Sequence, residues 1–224
     1  MSFGDKKLSE IAVSVPGSTS LLRKYDLDFC CGGSDTLANA AAEKGLNLAE
    51  IETRLTELQN SKAENPEEYW VNATYPEIID HILVRYHQRH REQLQELIVL
   101  ADRVESVHGD REDCPIGVAA ELRNVYEDLS NHMMKEEHVL FPMIKAGNYM
   151  MAQMPIRMME MEHAEHGEHL DVLKSLTNNM TPTADACNTW RALYSGIQEF
   201  ADDLMMPIHR ENNILFPRVL AENH

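Results

Sequence analysis

Four stretches of the chain repeat apolar positions at steps of three and four residues, the period of a helix with one buried face. The first opens at Pro76 and runs Ile79, Leu83, His87, His90, Leu94, Leu97, Ala101, Val104, with a break from Gly109 to Pro115. The second runs Val118, Leu122, Val125, Leu129, His132, Glu136, Leu140 and stops at Gly147. The third begins near Pro155 with Ile156, Met159, His163, His166, Leu170 and Leu173. After a turn from Asn178 to Pro182 comes the last: Trp190, Leu193, Ile197, Ala201, Leu204, Ile208, Glu211, Leu215. Four such helices on short connections predict an all-α fold built around an up-down-up-down four-helix bundle over residues 74–224. Ahead of it, residues 1–59 read as a small domain of short helices. These are Leu8 to Ser14, about Ser18 to Tyr25, one capped by Ser34 that stops at Gly45, and one capped by Asn47 through Leu58. Residues 60–73 are mostly polar, contain Pro66, and read as a linker.

The core stripes carry residues that do not belong in an apolar core. His87, His132, Glu136, His163 and Glu211 all fall on inward positions. A buried carboxylate must be protonated, paired or coordinated, and the Lys and Arg residues lie mostly off these stripes. The pattern also repeats. Glu136 and Glu211 are each followed four, five and six residues later by Leu, Phe and Pro. His87 lies 45 residues before His132, and His163 lies 44 before position 207. Histidine and glutamate four apart, as in His132 and Glu136, lie within roughly 40° of each other around a helix. The set suits a pair of iron or manganese ions with glutamates able to bridge. Zinc fits less well, since no cysteine lies on these stripes. His90, His166 and His169 do not repeat between the halves and read as supporting or solvent-facing residues.

At the position where the repeat calls for another histidine the chain has Pro207. Three readings follow. The site has two metals and one open position, or a proline kink turns His209 inward, or the second metal binds weakly or not at all. A separate feature is Cys30-Cys31-Gly32-Gly33 in a loop of the first domain. Adjacent cysteines close a disulfide only with strain, so a thiol pair or a soft-metal role is expected, with the glycines leaving the sulfurs accessible.

A formal charge of −17 argues against nucleic acid or an anionic membrane as partner. No apolar run approaches the roughly 20 residues needed to span a bilayer, and the first residues lack a secretory h-region, so a cytoplasmic location is expected. Four cysteines in 224 residues are too sparse for a disulfide framework.

The chain resembles the di-iron iron–sulfur cluster repair proteins, which join a small cysteine-bearing domain to a hemerythrin-like bundle. The resemblance rests on Tyr25 to Gly33, Arg85 to Arg91, His132 to Pro142, Glu162-His163 and Glu211 to Pro217. It implies two iron ions, with His87, His132, Glu136, His163 and Glu211 as ligands, both glutamates bridging, and a sixth histidine ligand where Pro207 stands here. It further implies repair of clusters damaged by nitric oxide or peroxide, by iron donation or by chemistry on nitric oxide, with Cys30 and Cys31 as candidate thiols. Expected partners are damaged iron–sulfur proteins as clients and nitric oxide or oxygen as small ligands, with a homodimer left open. The competing class is a hemerythrin-like oxygen or nitric oxide sensor without turnover.

Overall fold

The computed structural model describes residues 2–61 and 64–222. Nine helices account for nearly all regular structure among the described residues, which contain no strand. Five are short: α1 (Leu8–Ser14), α2 (Ser18–Lys24), α3 (Leu37–Glu43), α4 (Leu48–Asn60) and α5 (Pro66–Asn72). Four are long. α6 joins Tyr75–Ile82, a π turn Leu83–His87 and Gln88–His108. α7 joins Val118–Lys135, a π turn Glu136–Leu140 and Phe141–Lys145. α8 is Tyr149–Leu176. α9 joins Asn188–Arg210, a π turn Glu211–Leu215 and Phe216–Ala221. The junction residues all keep right-handed helical backbone, so each composite is one continuous helix.

The chain divides into two compact units. One is Ile79–Met205; the other combines Met1–Ile78 with Met206–His224. The first of these holds the four-helix bundle, with α6 packed on α7 and α7 on α8. Its core is the stripe read from the sequence: Leu94, Leu97, Ala101 and Val104 on α6, Leu122, Val125 and Leu129 on α7, Ile156, Met159 and Leu173 on α8, and Trp190, Leu193, Ile197 and Leu204 on α9. Gly147 ends the α7 helix because it takes φ +74°, a left-handed conformation that costs other residues a steric penalty.

These divisions are cut differently from the expected 1–59, 60–73 and 74–224. In the second unit, side chains of the last segment fasten onto the N-terminal residues. Arg218 donates to the carbonyl of Ala73 at 2.8 Å, and Tyr75 donates to Glu222 at 2.8 Å. Most of the expected linker is helical: Asn65 caps α5 by accepting from the Glu67 N–H, and Pro66 occupies the first turn, where its missing N–H costs nothing. Asn65 also donates to the Val13 carbonyl, anchoring α5 to α1.

Two helix starts differ from expectation. α3 is capped by Thr36, whose hydroxyl accepts from the Asn39 N–H, and not by Ser34. α8 begins at Tyr149, six residues before Pro155, which sits half-exposed inside the helix. A proline there removes one backbone hydrogen bond, and the long buried stripe that follows sustains the helix through it.

Candidate metal centre

The bundle unit contains four of the five expected ligands, and three of them place ligand atoms within 4.8 Å of one another: His132, Glu136 and His163. The fourth, His87, brings its Nε2 to 3.3 Å from Glu136 Oε2. On the other side His132 Nε2 lies 3.5 Å from Glu136 Oε1 and 3.1 Å from His163 Nε2. All four side chains are buried.

Each imidazole is aimed by the group behind it. His87 Nδ1 lies 2.9 Å from Glu137 Oε1, which also accepts from Arg91 at 2.8 Å. His132 Nδ1 lies 3.0 Å from Glu162 Oε2, and Lys135 donates to the other Glu162 oxygen at 2.6 Å. A carboxylate behind Nδ1 orients each of these two rings so that its Nε2 faces Glu136. The cations near this cluster, Arg91 and Lys135, are thus engaged by the outer carboxylates Glu137 and Glu162.

Glu136 is only 1% exposed, and neither carboxylate oxygen receives an aligned hydrogen bond. Burial pushes its carboxyl up, but the charges of His132 and His87 outweigh that and hold it below the usual carboxylate range. A buried anion facing imidazole nitrogens, with no aligned donor, fits a cation held by mixed nitrogen and oxygen ligands. The hydrogen bond from His132, together with Lys135, lowers Glu162 to about 2 against the opposing effect of burial.

The flanking histidines separate into three roles. His166 packs edge-on against His132 with ring centroids 4.8 Å apart, and burial first, then the charges of His132 and His163, lower it to about 2. It belongs to the wall of the cluster, which its missing counterpart in the repeat did not reveal. His90 instead faces Asp203 at 3.4 Å between Tyr86 and Phe200. His169 bridges Glu121 and Asp128 at 2.6 and 3.0 Å.

A second feature invisible in the hydrophobic pattern is the π turn. His87 closes one, Glu136 opens another, and Glu211 opens the third. Each of the last two closes on a Phe N–H reaching back five residues, Phe141 to Glu136 and Phe216 to Glu211. Pro142 and Pro217 come next. A proline has no N–H to continue the ladder, and a widened turn just ahead relieves its clash with the preceding carbonyls. The repeated Leu-Phe-Pro is therefore the sequence signal of these turns.

Glu211 lies in the other unit, buried at the start of its π turn. Pro207 sits within the uninterrupted helix Asn188–Arg210. His209 packs its ring edge-on against Phe29, centroids 5.3 Å apart, and its Nδ1 accepts from Asn213 Nδ2 at 2.8 Å. Its Nε2 faces Glu67 at 3.7 Å. Burial, then the nearby Arg210 charge, lowers His209 to about 3, so it is a neutral ring. His209 is thus engaged with Phe29, Asn213 and Glu67 of its own unit.

The same unit holds the cysteine loop. Asp28 accepts from the N–H groups of Cys30, Cys31 and Gly32 at 3.0, 2.9 and 2.8 Å, which folds the loop around its carboxylate. Cys30 Sγ lies 3.2 Å from Asp28 Oδ1 and 3.7 Å from Cys31 Sγ, and neither cysteine is in a disulfide. The Cys31 contact, burial and the Asp28 charge all push the Cys30 thiol well above its ordinary value. At neutral pH Cys30 is therefore protonated, and a cation is what would deprotonate it. Gly33 is required by space: an added Cβ would stand 2.6 Å from the Phe29 carbonyl oxygen and 3.0 Å from the Ser9 Cβ. The expectation that the glycines free the sulfurs is corrected for Cys30, which is buried while Cys31 is half-buried.

A bundle of this architecture, lined by this donor set, is a hemerythrin-type cation-binding domain, and residues 78–219 match the Hemerythrin HHE cation binding domain family. Residues 4–59 match a second family, described as a domain of unknown function (DUF542). The chain is 67% identical to a probable iron–sulfur cluster repair protein of Haemophilus influenzae over 99% of its own length and all of the relative's. It is 53% identical to the iron–sulfur cluster repair protein YtfE of Musicola paradisiaca over 98% of both chains, and 54% identical to YtfE of Escherichia coli over 99% of both. The chain belongs to this hemerythrin-like family of iron–sulfur cluster repair proteins. Among the described residues no helix is long and apolar enough to cross a membrane.

Proposed function

We propose that the chain restores damaged iron–sulfur clusters in client proteins, working from two non-haem irons held by His87, His132, Glu136, His163 and Glu211. One observation carries the reading: Glu136, a buried carboxylate without an aligned donor, is faced by imidazole nitrogens that Glu137 and Glu162 orient from behind. Glu211 enters by the repeat, as the equivalent of Glu136, and by its burial. Bound iron would supply one-electron chemistry toward nitric oxide or peroxide and a store of metal for a depleted cluster. The chain's own residues set the terms. Glu137 and Glu162 orient the rings of His87 and His132, and the buried Phe141 ring stacks against His87 on its apolar side. Pro207 supplies no sixth ligand, which leaves one position for a diatomic molecule or for release of iron to a client. Cys30 and Cys31 are the thiols that would receive an iron or nitrosyl fragment, and the cytoplasm is where such clients are met.

Iron per chain after anaerobic purification, measured beside the recovery of a nitric-oxide-damaged [4Fe–4S] hydratase, tests the proposal. About two irons and faster recovery are expected. A chain holding no iron, or a loaded one that leaves recovery unchanged, overturns it.

A further inference from the structure

Glu211 is followed directly by Asn212 and Asn213, and both asparagines hold the cysteine loop. Asn212 Nδ2 donates to the Cys30 carbonyl at 2.9 Å. Asn213 Nδ2 donates to the Phe29 carbonyl at 2.8 Å and to His209 Nδ1 at 2.8 Å. The two carbonyls stand on either side of the Cys30 α-carbon, and Gly33 is close enough that a Cβ there would meet Asn213 Oδ1 at 3.3 Å. His209 is buried against Phe29 and fixes Asn213 from the other side.

The geometry of one turn links these contacts to Glu211. Residues 211–215 form the π turn, with Glu211 first and the asparagines next. Two steps along such a turn rotate a side chain by roughly 160–200°, so Asn213 points away from Glu211. His209, four residues before Asn213, shares its face. Asn213 therefore lies on the side opposite the carboxylate, two peptide units away, and Asn212 lies between them, one peptide unit from Glu211.

We propose that Asn212 and Asn213 are positioning residues that close the Cys30–Cys31 loop and make thiol exposure depend on whether Glu211 holds metal. This rests on the reading of Glu211 as an iron ligand. With Glu211 engaged, the turn is restrained, both carbonyls are held, and Cys30 stays buried. With Glu211 released, the turn loosens, the tethers weaken and the thiol becomes available. The loop thus presents its sulfurs when iron leaves and not before. No chemistry at the loop is required for this coupling.

Native-state alkylation by iodoacetamide, read at each cysteine by peptide mass, tests it on the full chain with and without iron. Iron-loaded wild type should label slowly at Cys30, and removing iron with a chelator should speed labelling roughly tenfold, the change in open population expected from losing about one hydrogen bond. Asn212→Ala/Asn213→Ala should label fast in both states, and Asn213→Asp, which keeps the size but loses the donor, should follow it. Cys114 and Cys187 are internal references whose rates should not move. Equal Cys30 rates in wild type and variants overturn the proposal, as does acceleration of all four cysteines together. A chain that takes up no iron sinks the repair reading. One that takes up iron with Cys30 labelling unchanged on its removal sinks this inference alone.

Discussion

Glu162 holds His132: the carboxylate Oε2 lies 3.0 Å from Nδ1, and the same residue accepts from Lys135. The consequence is a His132 ring held with its Nε2 directed at Glu136. Glu162→Gln keeps the shape but removes the charge and can present its amide as a donor. Iron affinity, measured by competition with a chelator, should fall by about 10–100-fold. Unchanged affinity would mean that Glu162 merely answers Lys135.

Glu136→Gln separates a ligand from a structural ion pair. If Glu136 serves metal, the substitution removes iron while the metal-free protein loses no more than about 1 kcal/mol, since the burial cost it relieves offsets most of the histidine attraction it removes. A structural pair broken at one end would instead cost ~3–5 kcal/mol. Iron content and metal-free urea midpoints, measured together, decide between them.

Pro207→His supplies both a ligand and a backbone N–H. Helix repair should raise the thermal midpoint of the metal-free protein, since a mid-helix proline costs ~3 kcal/mol. Iron stoichiometry should stay at the wild-type value while release to a chelator slows by about tenfold, one ligand's worth of affinity. A wild type that holds one iron and a variant that holds two would show instead that the second metal was missing.

His90 sets a pH dependence of stability. Burial lowers its pKa from the ordinary value of 6.5, against the pull of Asp203 and with the charges of His87 and Arg85 adding to the shift. A histidine depressed in the folded state takes up its proton more readily when unfolded. Its contribution is therefore complete above the ordinary value and is lost as pH falls below it. Stability of the metal-free protein should decline from pH 7 toward 5, by at most about 1.4 kcal/mol per pH unit for one such group. His90→Phe, set among Tyr86 and Phe200, should flatten that slope. An identical slope in the variant would assign the acid sensitivity elsewhere.

The periodic stripes alone determined the all-α class, the four long helices and five inward polar residues, because a buried carboxylate on a helical apolar face stands out against its neighbours. His132 and Glu136 were legible as a pair since four residues close one helical turn. Three things were not legible. Glu137 and Glu162 look like ordinary surface acids, and only the placement of α6 against α7 and of α7 against α8 turns them toward His87 and His132. The π turns change helical phase without changing composition, so the hydrophobic pattern passes over them, and Leu-Phe-Pro is the trace left by two of the three. The fate of His209 depended on a partner 180 residues away in the chain, Phe29, and on Asn213 beside it. Sequence spacing specifies what shares a helix face, because that is local geometry. Which face meets which residue is decided by long-range packing, and the closure of the cysteine loop by Asn212 and Asn213 is such a decision.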